Sequence, residues 1–309
     1  MATESQPAGV AGDPLGEERA QAKINLSLRV LGKRPDGYHE LMGLMARVGL
    51  HDEVSLSLAG PGGEDVLAFE DRIGEPFGGT LAGDGEFAGP RNLALRAVRA
   101  FREETGRPGG PVRVSLVKGI PLGSGLGGSS SDAAAVLRIL GRKWPVGGER
   151  LGRLALGLGA DVPFFLGAGP FCWAGGVGER LRPYHGPMPG GYAALVNPGI
   201  KLSTAKVFAQ LGLTSGLKGS ISLIAESVQG DGQPFWGVND LEGAAVSLCP
   251  ALSMVREAIA KADPAPVRMG LSGSGATYWA VYGRLGEARA AAGSLAGQGF
   301  WVRVVTLGP

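Results

Sequence analysis

The chain has 309 residues, 44% of them apolar and 19% charged, enough to bury a core and too apolar for an intrinsically disordered sequence. Lysines and arginines number 30 against 28 acidic residues, and a net charge of +2 is too balanced for a protein built around a nucleic-acid backbone. Two cysteines, Cys172 and Cys249, cannot make a disulfide framework, and no CxxC or Cys/His cluster offers a zinc site, so the composition fits a reducing, cytoplasmic setting.

In chain order, residues 1–20 hold Glu4, Asp13, Glu17 and Glu18 against Arg19 with no apolar run, and read as a disordered leader rather than a targeting peptide. Alternating apolar residues predict strands over 22–30 and 53–58, joined through a Pro35-Asp36-Gly37 turn. The glycine-rich stretch 60–89 predicts loop with short strands. Asn92 stands where an N-cap belongs, ahead of a helix to about residue 104. A strand over 112–117 runs into a glycine turn at 119–128, followed by a helix over 130–140 that Gly141 is expected to stop. The stretch 154–178 carries one charge, Asp161, but glycines, Pro163 and Pro170 interrupt it, so it does not read as a membrane span.

Further on, the patterns predict a strand over 193–196, then helices over 203–211, 241–248 and 252–261. A small-residue turn at 272–275, a strand over 277–282, a helix over 286–296 and a strand over 301–305 close the chain. Strands and helices alternate without the rhythm of a doubly wound sheet, which points to an α+β fold in two lobes.

The strongest chemical signal is the run from Val112 to Asp132, where a strand enters a turn holding Gly119, Gly123, Gly125, Gly127 and Gly128. Backbone amides converging in such a turn, with the donor end of the following helix, make an anion site suited to phosphate. GxxxxGK[ST] is absent, which excludes a P-loop. Gly123, Gly125 and Gly128 satisfy GxGxxG, yet the dinucleotide fold needs a second buried strand after the helix, and Trp144-Pro145-Val146-Gly147-Gly148-Glu149 cannot supply one.

Asp161, set among apolar neighbours before a proline, is either a base, an electrostatic anchor or a structurally satisfied carboxylate. Lys23 on the opening strand is a candidate partner that would keep it ionised. Tyr38-His39 offers an aromatic face beside an imidazole, fit for a flat heterocycle or simply a packed surface pair. The loop Gly270–Ala276 is by itself a hairpin turn.

Taken together and in order, Ala22-Lys23-Ile24-Asn25, the run 121–131 and Ser272-Gly273-Ser274-Gly275-Ala276 resemble the motifs of the GHMP kinase superfamily, over about residues 20–307. Arg34-Pro35-Asp36-Gly37-Tyr38-His39-Glu40-Leu41, Gly159-Ala160-Asp161-Val162-Pro163, Gly176-Val177-Gly178-Glu179 and Asn239-Asp240-Leu241-Glu242 are similar to one branch, which phosphorylates the 2-hydroxyl of a cytidine diphosphate-linked methylerythritol in non-mevalonate isoprenoid synthesis.

The resemblance implies a two-lobed α+β GHMP-kinase-like fold. Its N-terminal ATP and catalytic domain, 21–175, would be a mixed or antiparallel sheet with helices packed on it, and its C-terminal domain, 176–309, a ferredoxin-like α+β unit. It also implies ATP and Mg2+, a small-molecule partner, no nucleic acid, no membrane, and a monomer or weak homodimer.

By the same resemblance Asp161 takes the hydroxyl proton, Lys23 holds Asp161 ionised, and Asn25 positions the substrate. Asn92, Lys118, Pro121, Gly123, Ser124, Gly125, Gly127, Gly128, Ser129, Ser130 and Ser131 surround the nucleotide. Tyr38 and Phe208 sandwich the cytosine beside His39, and Gly273 and Gly275 border the substrate phosphates. No metal ligand announces itself beyond a serine among 129–131. Asp132, near the start of the phosphate-loop helix, is expected to point away from the triphosphate. Sister kinases acting on homoserine, mevalonate or a sugar need no base-stacking pair, and a non-catalytic nucleotide binder would need neither Lys23 nor Asp161.

Overall fold

The computed structural model describes residues 12–60, 62–77, 85, 87–167, 169–211, 216–217 and 235–309. Two long antiparallel strands, β1 (Pro14–Lys33) and β2 (His39–Leu58), dominate the first lobe. Ala20, Ala22, Ile24 and Leu26 of β1 are fully buried, and the intervening Lys23, Asn25 and Ser27 are buried too, so mid-length β1 is covered on both faces. Strands β3 (Val66–Asp71) and β4 (Val112–Lys118) pair in parallel and extend the sheet beyond residues 53–58 of β2. Residues 41–46 of β2 pair instead with β5 (Phe171–Gly176), which forms a hairpin with β6 (Arg180–Pro183). The boundary expected between residues 175 and 176 therefore falls inside a strand, and the sheet assigns β6 to the first lobe.

Helices α1 (Leu93–Thr105), α2 (Gly128–Lys143), α3 (Gly148–Leu158) and the six-residue α4 (Val162–Gly167) pack on this sheet. Asn92 caps α1 as expected, its Oδ1 accepting the Ala94 amide at 2.9 Å. Two expectations are corrected. Gly141 does not stop α2, because α3 closes on it: a Cβ there would meet Leu151 Cδ2 at 3.4 Å, and that packing outweighs the glycine's helix cost of about 1 kcal/mol. Residues 14–20 are not leader but strand, with Ala20 fully buried and Glu18 paired to Arg138 (3.3 Å) and Arg142 (2.5 Å) on α2; residues 1–11 of that leader lie outside the described residues.

The second lobe is a four-stranded antiparallel sheet in the order β11-β7-β10-β9, from β7 (Tyr192–Asn197), β9 (Arg268–Leu271), β10 (Tyr278–Tyr282) and β11 (Trp301–Thr306). A two-residue strand, β8 (Gly216–Leu217), belongs to the first sheet. Helices α5 (Thr204–Gln210), α6 (Glu242–Leu248) and α7 (Ala251–Ala260) lie between β7 and β9, and α8 (Leu285–Ala296) joins β10 to β11. That β-α-β-β-α-β connection and strand order are ferredoxin-like. Leu252, Val255, Ile259, Ala288 and Leu295 cover one sheet face, while Trp279 and Trp301 turn the other toward the first lobe's core. Cys172 and Cys249 are buried free thiols, and no described helix is long and apolar enough to cross a membrane.

Candidate active site

A cavity of about 380 Å³ opens between the lobes, lined by Lys23, Asn25, Pro121, Gly123, Ser124, Gly125, Gly127, Gly128, Ser129, Ser130, Asp161, Phe208 and Gly273 among others. Lys23 reaches it because β1 is anchored to the glycine turn, its amide donating to the Leu126 carbonyl at 2.9 Å. Its Nζ lies 3.4 Å from Asp161 Oδ2 and donates to Asn25 Oδ1 at 2.5 Å. Lysine and asparagine face the same way because they stand two apart on a strand. Asp161 sits immediately before α4, and its side chain keeps 34% exposure toward the cavity while the lysine keeps 6%. An ammonium so enclosed leaves the carboxylate as its charge partner and still open to a ligand.

The turn between β4 and α2 needs its glycines. Gly125 (φ 79°) and Gly127 (φ 74°) lie in the left-handed region. A Cβ on Gly125 would run into the Ser272 carbonyl, and one on Gly127 would meet Phe165 Cζ at 2.9 Å. The turn thus packs directly against the second glycine loop and α4, and Gly128, Ser129 and Ser130, in the first turn of α2 where amides have no partner within the helix, line the cavity. Ser272 Oγ donates to the Gly125 carbonyl (2.9 Å) and accepts the Asn25 amide (3.2 Å), pinning β1, the turn and the second loop at one point. Gly275 does not line the cavity; its amide closes that loop on the Ser272 carbonyl at 3.0 Å.

Three expected nucleotide contacts stand elsewhere. Lys118 is fully buried outside the cavity lining, held between Asp52 and Asp132 (Nζ to Asp132 Oδ2, 2.6 Å), so its charge is spent on those carboxylates. Asp132 thus points away from the cavity, as expected. Asn92 donates to the Phe87 carbonyl (2.9 Å) and caps α1, outside the cavity lining. Ser131 gives its hydroxyl to the Gln21 carbonyl at 2.7 Å, tying α2 to β1, so Ser129 and Ser130 are the serines that face the cavity.

At the far end, His39 stacks on Phe208 with ring centroids 4.7 Å apart and planes 21° off parallel. Phe208 therefore presents a face to His39, where the resemblance implied a face for a ligand base. Tyr38 is 65% exposed. Burial, with Lys33 nearby, holds the His39 imidazole below its usual pKa, so it is neutral at pH 7 and offers one donor and one acceptor.

Sequence reasoning did not find the groups that hold these parts in place. Asn239 donates to the Leu271 (2.9 Å) and Gly273 (2.7 Å) carbonyls and so sets the second loop. Glu40 joins the start of the Pro35-Asp36-Gly37 turn to β6 through Arg34 (3.4 Å) and Arg180 (2.6 Å). Glu179 accepts the Val177 amide at 2.7 Å and shapes the hairpin that brings Val177 to the cavity. The signal available for Asn239, Glu179 and Glu40 lay in the branch-specific strings that contain them.

Residues 92–169 match the model of the GHMP kinases N terminal domain. The chain is 39% identical over 279 residues to a 4-diphosphocytidyl-2-C-methyl-D-erythritol kinase of Geobacter sp. (strain M21), covering 89% of this chain and 92% of that one. It is likewise 39% identical over 307 residues to the enzyme of that name from Parvibaculum lavamentivorans, covering 94% and 98%. Among solved structures, a 4-(cytidine 5'-diphospho)-2C-methyl-D-erythritol kinase superposes with TM-score 0.71 at 36% identity, over 95% of this chain and 100% of that one. A homoserine kinase from Cytophaga hutchinsonii shares the fold at TM-score 0.64 and 19% identity, over 99% and 97%.

Proposed function

The chain belongs to the 4-diphosphocytidyl-2-C-methyl-D-erythritol kinases, a branch of the GHMP kinases, and from that premise we propose that it moves the γ-phosphoryl group of ATP onto the 2-hydroxyl of that substrate, in the non-mevalonate route to isoprenoids. The observation that carries the reading is the 3.4 Å pairing of Lys23 with Asp161 beside the glycine turn.

Phosphoryl transfer asks a protein mainly for positioning and charge stabilisation. Amides of the turn and of the α2 N-terminus hold the triphosphate. Asp161 accepts the proton of the attacking hydroxyl as the oxygen–phosphorus bond forms and the bond to ADP breaks. Lys23 is the charge partner that orients Asp161, and it offsets negative charge on the transferring group. Asn25 fixes the ammonium's direction through its 2.5 Å hydrogen bond.

Among the described residues no cluster of His, Cys, Asp or Glu is built to hold a metal ion. The donor set fits magnesium carried largely by the nucleotide, with the Ser129 or Ser130 hydroxyl as the cavity's oxygen ligand. Bound there, the ion would neutralise phosphate charge.

Tyr38 stacks on the cytosine, neutral His39 pairs with its edge, and Phe208 backs the imidazole. Tyr38→Ala is expected to weaken binding of the cytidine substrate by about 1–2 kcal/mol with ATP affinity unchanged. Isothermal titration with each ligand checks this; an equal loss for ATP would place the pyrimidine elsewhere. We also read the chain as a cytoplasmic monomer or weak homodimer that engages neither nucleic acid nor membrane, with its substrate as the partner.

The test of the reading is ADP release with a panel of acceptors. Turnover with the cytidine-bearing acceptor, and none with homoserine, mevalonate or galactose, is the expected outcome. Turnover of one of those three instead overturns the substrate assignment. No acceptor-dependent ADP at all would make the chain a nucleotide binder.

A further inference from the structure

Two arginines from different elements converge on the far end of α4. Arg47 of β2 donates through Nη2 to the carbonyls of Phe164 (2.8 Å) and Phe165 (3.2 Å). Arg138 of α2 donates through Nη1 to the same Phe165 carbonyl. Carbonyls in the last turn of a helix have no partner within it, and cations there complement the helix dipole. A helix of six residues has too few internal hydrogen bonds to hold itself, so its position depends on such external donors.

The placement of that grip is informative. Arg47 stands directly across the ladder from Lys23, so one cross-strand pair supports both halves of the ion pair: Lys23 at the carboxylate, and Arg47 on the helix that follows it. Phe165, whose carbonyl both guanidiniums share, lies against Gly127 of the phosphate turn. Glu18 partners Arg138 at 3.3 Å, and the Arg47 guanidinium lies 5.5 Å from the Phe164 ring centre. Two guanidiniums brought this close repel each other, and the Phe165 carbonyl they share is what bridges them. Neither side chain lines the cavity.

We propose that Arg47 and Arg138 are positioning residues for the reaction: by gripping the C-terminal carbonyls of α4 they set where Asp161 stands relative to Lys23 and the phosphate turn. The proposal rests on the reading of Asp161 as the proton acceptor. It separates binding from turnover, since ATP and cytosine are held by other groups, while a shift of about 1 Å in a reacting group is enough to slow the chemical step by up to a hundredfold.

The test uses the full chain, four single variants (Arg47→Met, Arg47→Lys, Arg138→Met and Asp161→Asn) and the double variant Arg47→Met with Asp161→Asn, with kcat and both KM values measured well below each melting temperature. Arg47→Met and Arg138→Met are expected to lower kcat about tenfold or more with both KM values within about twofold, and Arg47→Lys, unable to span two carbonyls, to fall between. Combined with Asp161→Asn, Arg47→Met should add no further loss, because it acts through the missing carboxylate. If kcat is unchanged while only the melting temperature falls, or if the losses multiply, the positioning role is overturned. Should Arg47→Met not fold, Arg138→Met and Arg47→Lys carry the same comparison. Near-normal turnover of Asp161→Asn alone would refute the reading of the base, a result distinct from any of these.

Discussion

Asp161→Asn should reduce acceptor-dependent ADP release at least about a hundredfold while the dissociation constant for ATP stays within about twofold. Asparagine keeps the side chain's size and an oxygen that can still accept from Lys23, so the pocket's shape and the triphosphate cradle survive. What disappears is the capacity to take a proton. General-base contributions of about a hundred to ten thousandfold set the expected scale. Stopped-time assays of ADP together with calorimetric ATP binding separate the two quantities. Turnover near the wild-type level would reduce Asp161 to an electrostatic or structural role, and a parallel loss of ATP binding would mean that the turn had collapsed.

The second large effect concerns stability. Replacing Lys118 with methionine should destabilise the fold by about 3–5 kcal/mol, read as a lower urea midpoint, because the change strands two buried carboxylates. Asp52 Oδ1 also accepts the amides of Gly119 (2.7 Å) and Ile120 (2.8 Å), so this cluster fixes the entry to the phosphate turn. Asp132 Oδ1 finds no hydrogen-bond partner among the described residues. Burial is the leading cause that raises the Asp132 carboxyl to about 7, with Asp52 pushing the same way and Lys118 opposing.

A carboxyl raised in the folded state gives stability that is complete below its unfolded pKa of about 3.9 and is lost as pH climbs through about 7. Between pH 5 and pH 7 the unfolding free energy of the wild type should therefore fall relative to Asp132→Asn, at no more than about 1.4 kcal/mol per pH unit. Parallel pH curves for the two proteins would show that Asp132 stays ionised throughout.

Much of this was legible in the chain. The Asn92 cap, the glycine turn after an alternating strand, and the pairing of Lys23 with Asp161 were all expected from residue types and order, because each has a local or motif-level signature. Helix α4 had none: Pro163, two phenylalanines and glycines on either side give little intrinsic helix preference, and its hold comes from Arg47 and Arg138, distant in sequence. Those arginines carry no pattern that separates them from solvated ones.

Lys118 misled for a related reason. The resemblance put this lysine near the nucleotide, and its contact with Asp52, 66 positions earlier, shows it to be spent inside. Residues 14–20 looked like leader because they hold no apolar run, yet Glu18 meets two arginines on α2. Long-range ion pairing escaped the sequence reading in each case, whereas backbone geometry demanded by glycine and by capping did not.

The most direct measurement is a crystal structure with a non-hydrolysable ATP analogue and the cytidine-bearing acceptor bound together. The 2-hydroxyl should lie within hydrogen-bond reach of an Asp161 carboxylate oxygen, about 2.6–3.2 Å, with the terminal phosphate on the amides of the glycine turn. Density for the acceptor in the separate groove lined by Glu242, Arg256 and Tyr278, with Asp161 facing only solvent, would contradict the account.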